Sequence, residues 1–81
     1  MGEYDPIIPK SELIHGAYYN GRCRNASIAR WSGETQRFYH WRYKFGGKFI
    51  EEIMAPEDEK HYDVFVAESI LENPTEEIPF K

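Results

Sequence analysis

The stretch Phe38-Tyr39-His40-Trp41-Arg42-Tyr43-Lys44-Phe45-Gly46-Gly47-Lys48-Phe49-Ile50-Glu51-Glu52-Ile53 decides the fold. Large rings recur at every second position, and successive side chains of a strand point to opposite faces. No three-four spacing interrupts that alternation, so a helix is not the reading. Gly46-Gly47 divides the stretch and suits a two-residue hairpin loop, whose tight turn needs positive φ. That loop pairs Phe45 with Lys48, Tyr43 with Ile50, Arg42 with Glu51, and Trp41 with Glu52. One face then holds Tyr39, Trp41, Tyr43, Phe45, Ile50 and Met54, and is expected to be the core. The other holds Phe38, His40, Arg42, Lys44, Phe49, Glu51 and Ile53.

Working outward, two further turn signals cut the chain. Asn20-Gly21 is a strong two-residue hairpin signal, and Ser32-Gly33-Glu34-Thr35 is a polar cluster between two runs. Ala55 to Lys60 contains Pro56 and three acids, and forms a fourth break. The strands are expected at roughly 14–19, 22–31, 36–45, 48–54 and 61–67, with one helical turn over Ser69–Glu72. Short connections between consecutive strands make an antiparallel meander. Pro6 and Pro9 mark residues 1–12 as an extended arm, because proline cannot donate to a ladder. Residues 73–81, with Pro74, Pro79, Glu76 and Glu77, read as a flexible acidic tail. The chain is thus expected to be a single domain over 1–81, with its β core at 13–72. An open apolar face on so short a chain must be covered, so the sheet is expected to curl into a small barrel. In architecture this is similar to SH3-like and OB-like barrels, and the SH3-like form is the expectation.

Composition limits the function. The chain has 81 residues and a net charge of −4. Residues 20–48 hold seven basic side chains (Arg22, Arg24, Arg30, Arg37, Arg42, Lys44, Lys48) and one acid, Glu34. The remainder is strongly acidic. The lone Cys23 excludes an intramolecular disulfide framework and is expected to face the core as a small hydrophobe. His15, His40 and His61 lie too far apart in sequence for a zinc spacing. No metal, no cofactor and no enzyme are therefore expected. No apolar run reaches the ~20 residues of a membrane span, and the opening Met1-Gly2-Glu3-Tyr4-Asp5 has no basic or apolar leader character. Both point to a cytoplasmic chain that meets no membrane.

The basic, aromatic block is the candidate binding surface. The register above places Tyr19, Arg22, Arg24, Arg30, Phe38, His40, Arg42 and Lys44 on one face, opposite the Trp41 core. Arg and the aromatic residues are what protein hot spots use. The same set would neutralise phosphates and stack bases, but the net negative charge disfavours nucleic acid. The expected function is a small non-enzymatic module that binds a protein partner. The alternative is a small barrel for single-stranded nucleic acid or RNA. The oligomeric state is not legible.

Overall fold

A computed structural model describes residues 7–23, 26–56 and 64–80. Five strands, β1 (Tyr18–Arg22), β2 (Ile28–Ser32), β3 (Arg37–Lys44), β4 (Gly47–Ile53) and β5 (Val66–Leu71), follow a short 3-10 turn at Lys10–Glu12. They form one antiparallel sheet in the order β4-β3-β2-β1-β5. The first four strands make an antiparallel meander, with β1 and β2 displaced from the expected 14–19 and 22–31. The fifth strand, expected at 61–67 to extend the meander beyond β4, instead runs Val66–Leu71 beside β1, and residues 57–63 lie outside the described residues. The sheet is not closed. Where β4 ends and β5 begins, the Phe65 amide donates to Met54 O at 3.0 Å, within a single parallel bridge of Met54 to Val64.

The β3–β4 hairpin forms as expected, but its loop lies one residue earlier. Phe45 and Gly46 carry the positive φ values, 51° and 80°, and Lys44 faces Gly47 across the turn. Tyr43 therefore pairs with Lys48, Trp41 with Ile50, and Tyr39 with Glu52. Moving a two-residue loop by one position shifts every cross-strand partner but preserves parity. Residues expected to share a face therefore still share it.

What changes is which face becomes the core. The buried cluster lies on the Phe38 side, with Tyr19, Ala29, Trp31, Phe65, Ala55 and Ala67. The four-residue turn 33–36 sets Trp31 opposite Phe38. Ring centroids of Trp31 and Phe38, and of Phe38 and Phe65, then lie 4.8 Å apart. Ala29 and Ala67 are small enough to let these rings fill the space above β1 and β2, so close packing favours this side. Ile8, Leu13, Cys23 and Ile53 close the margins, with the Ile8 amide bonded to Ala67 O.

Asn20-Gly21 is not a turn. Both residues lie inside β1, and the register against β5 shifts between them. A Cβ on Gly21 would sit 2.2 Å from Val66 O and 2.7 Å from the Phe65 ring. Glycine is present because β5 approaches too closely for any side chain, which is the other meaning of a strand glycine. The helical turn expected over Ser69–Glu72 is absent as well, since β5 continues to Leu71.

Residues 73–80 have no regular secondary structure, yet they lie across the Tyr39 and Trp41 face. Ile78 is buried there. Its amide donates to the Tyr18 hydroxyl at 2.9 Å, and its carbonyl accepts from Arg30 Nη1 at 2.9 Å. The Phe80 ring packs 5.5 Å from Tyr39 and lies under the Arg30 guanidinium at 4.5 Å. The expected free tail is the cover of the second sheet face.

Candidate binding surface

The eight residues expected to form one basic, aromatic face are not brought together. Tyr19 and Phe38 are core rings, buried because their faces continue through Ala29 and Trp31. His40 is fully buried, with Nδ1 3.3 Å from Trp41 O. Its Nε2 lies 3.2 Å from Glu51 Oε1 without the alignment of a hydrogen bond. Arg30 is on the opposite face, held by Gly16 O at 2.9 Å and by Ile78 O, with its guanidinium over Tyr18 and Phe80. Arg22 is exposed at the end of β1 and ion-paired to Glu68 of β5. Arg24 lies outside the described residues. Arg42 and Lys44 remain on the Phe38 side of the sheet, beyond the core.

These two mark the surface that does form. The pairing of β3 with β2 runs from Arg37 to Tyr39, and beyond Tyr39 the register of β3 is with β4. The hairpin therefore runs on as a two-stranded ribbon, and residues 43–49 are all exposed. Phe45 stands in the turn at 95% exposure, Tyr43 at 65% and Phe49 at 45%. Phe49 is the cross-strand partner of Arg42 and shares its face. The Lys44 ammonium lies over the Phe45 ring at 5.4 Å. Phe45 in the turn and Phe49 on the Arg42 side are the wet rings of the tip, while Tyr43 lies on the opposite side of the ribbon, with its hydroxyl on Glu76 at 3.3 Å.

Most of the basic charge near the tip already has an acidic partner. Arg42 Nη1 donates to both Glu51 oxygens, at 3.1 and 3.3 Å. Lys48 Nζ meets Glu76 Oε2 at 2.6 Å. That hydrogen bond lifts the Lys48 ammonium above its ordinary range and holds the Glu76 carboxyl below its own. Among the described residues Lys44 has a ring contact instead of an acid. The tip thus offers aromatic area first and positive charge second.

Phe45, Phe49 and Tyr43 were not among the expected site residues. The sequence places Phe45 and Tyr43 in the core, because a Gly46-Gly47 loop keeps both inside a strand. The signal that could have found Phe45 is the turn itself, since a ring at a turn position has no sheet neighbour to pack on. Among the described residues no group of three or more His, Cys, Asp and Glu side chains could hold a metal ion. No helix among them is long and apolar enough to cross a membrane. No protein-family model, curated protein or solved structure matches the chain.

Proposed function

We propose that this chain is a small non-enzymatic binding module that engages a protein partner through the tip of the β3–β4 hairpin. The observation that supports the reading is the exposure of Phe45, Tyr43 and Phe49 on a ribbon that also presents Arg42 and Lys44. Aromatic anchors beside an Arg form the hot-spot chemistry of protein interfaces. A ring in water gains roughly 1.5–3 kcal/mol when a partner buries it.

A second reading, single-stranded nucleic acid, draws on the same rings as stacking platforms. It is the weaker one, because Glu51 and Glu76 already answer Arg42 and Lys48. Phosphate binding depends on cations free to replace counterions.

We also read the sheet as an opened relative of the SH3-like small barrel. Its support is the strand order, with β5 beside β1, and the Met54–Val64 bridge that draws β4 towards β5. The compartment we infer is cytoplasmic, from the single unpaired Cys23.

The test compares the parent chain with Phe45→Ser and Lys44→Glu variants in affinity capture, beside anisotropy of a fluorescent single-stranded oligonucleotide at low salt. A protein that the parent retains and Phe45→Ser loses, with flat anisotropy, supports the protein reading. Anisotropy that rises and collapses with added salt would move the assignment to nucleic acid.

A further inference from the structure

We propose that the sheet face beneath the C-terminal segment is a groove for an extended acidic peptide, and that residues 73–80 occupy it in cis. This goes beyond the hairpin reading, because it uses the Tyr39 and Trp41 face of the sheet, shares only Tyr43 with the tip, and asks for a different ligand.

The contacts are those of a peptide in a groove. Asn73-Pro74-Thr75-Glu76-Glu77-Ile78-Pro79-Phe80 makes no strand pairing of its own. Side chains of the sheet bind its backbone instead. Trp41 Nε1 donates to Glu77 O at 2.9 Å, the Ile78 amide donates to Tyr18, and Arg30 Nη1 donates to Ile78 O. One carboxylate is recognised specifically, since Glu76 takes Lys48 Nζ at 2.6 Å and the Tyr43 hydroxyl at 3.3 Å. Backbone bonds hold an extended chain, and alternate side-chain contacts select its sequence. Two prolines keep the segment extended before it docks.

The fit is loose in one place. Between the segment and the sheet lies a half-open cavity of about 260 Å³, lined by Ile28, Trp41, Tyr43, Leu71, Pro74 and Ile78. Covers that belong to a core pack without such space. Pro74, Thr75, Glu76 and Glu77 are exposed, and Ile78 is the buried anchor of the segment. The groove is wider than its present occupant. A ligand with a larger apolar side chain at the position of Pro74 or Thr75, a Glu at that of Glu76, and an aliphatic-Pro-aromatic end fills it better. Charge agrees at one position, where Lys48 meets Glu76, while Arg30 holds the segment through the Ile78 carbonyl.

The experiment uses the full chain and a fluorescein-labelled synthetic peptide of residues 72–81. An Ile78→Asp/Phe80→Ala variant vacates the groove, and Glu76→Lys weakens the segment from its exposed side alone. Folding of each is checked by circular dichroism. A tethered segment competes at an effective concentration near 1 mM, so the vacated variant should bind the peptide at least about tenfold more tightly than the parent. Adding Lys48→Glu to the vacated variant should weaken binding about fivefold, and a peptide carrying Glu76→Lys should recover it. Adding Phe45→Ser instead should change nothing, which separates this groove from the hairpin tip. A folded vacated variant that leaves the peptide free up to about 1 mM overturns the proposal. So does loss of the fold in both tail variants, which would make the segment part of the core.

Discussion

Replacing Gly21 by alanine is the sharpest test of how this sheet is held. The added Cβ would lie 2.2 Å from Val66 O and 2.7 Å from two carbons of the Phe65 ring. An acceptable carbon–oxygen contact is about 3.3–3.6 Å, so β5 must retreat by about 1 Å. That movement strains the Gly21–Ala67 and Arg22–Val66 pairs and pulls the fully buried Phe65 away from Phe38. Overpacking costs about 1–3 kcal/mol, and each weakened ladder bond about 0.5–1.5 kcal/mol more. We expect a loss of about 3–5 kcal/mol, against a total stability of roughly 4–12 kcal/mol for a chain of this length. The melting temperature should fall by well over 10 °C, at about 4–8 °C per kcal/mol. Two other glycines calibrate the result. Gly46→Ala meets open space but a φ of +80°, and should cost about 1–2 kcal/mol. Gly47→Ala meets nothing closer than 3.9 Å, and should stay within about 0.5 kcal/mol of the parent. Urea unfolding followed by circular dichroism ranks the three. If Gly21→Ala matches Gly46→Ala, then Gly21 is a turn residue and the close approach of β5 is wrong.

The two tryptophans should separate cleanly in the same assay. Trp31→Ala removes a ring packed on Phe38 and should cost about 3–5 kcal/mol, whereas Trp41→Phe loses the bond to Glu77 O and should cost about 0.5–1.5 kcal/mol; equal losses would deny the inversion of the core face. Docking of the tail should depend on pH through Glu76. Lys48 depresses its folded pKa, so the contribution is complete above about pH 4.5 and fades as pH falls through the lowered folded value. Lys48 is shifted upward, so its share is complete below about pH 10.5 and is lost as pH rises through the raised folded value. The Trp41 indole N–H resonance should report the acid step, and Glu76→Gln should remove it; an identical acid step in that variant would assign it elsewhere. Partner binding at the hairpin tip should weaken only slightly with salt, since rings dominate it; a steep salt dependence would restore the electrostatic reading.

Period-two alternation made the strands legible, and it correctly sorted the residues of β3 and β4 into two faces. It could not say which face would be buried. Both faces offer rings, with Tyr39, Trp41 and Tyr43 on one and Phe38 and Phe49 on the other. The choice was made by residues distant in sequence, through Trp31 after a four-residue turn and Phe65 after β4. The misread glycine has a similar cause. Asn-Gly carries the same local chemistry whether it turns a hairpin or admits a neighbouring backbone, and only the position of Val66 and Phe65 distinguishes the two. Local chemistry favours glycine at both positive-φ positions, which points to Gly46-Gly47, whereas the loop uses Phe45 and Gly46. At 51°, Phe45 accepts a left-handed conformation that a non-glycine residue adopts at a modest cost. The tail was the least legible part, since prolines and acids there signal an extended chain but not what it lies against.

The surplus of basic residues in 20–48 explains why composition misled the search for a site. A local charge excess marks a binding surface only if the cations share a face and lack partners. Here the strand parity scatters them, with Arg42 and Lys44 on one side and Arg30 and Lys48 on the other. The acidic flanks then return to meet them: Glu68 on β5 reaches Arg22, Glu51 on β4 reaches Arg42, and Glu76 in the tail reaches Lys48. Arg30 is saturated by two carbonyls. Exposed pairs of this kind contribute little stability individually, about 0–1 kcal/mol, but they neutralise Arg22, Arg42 and Lys48 in place. The residues left over are those the charge count ignored. Phe45 in the turn and Phe49 beside Arg42 stay exposed at 95% and 45%, with Lys44 over the Phe45 ring, whereas Tyr43 on the other side of the ribbon is engaged by Glu76 and Lys48.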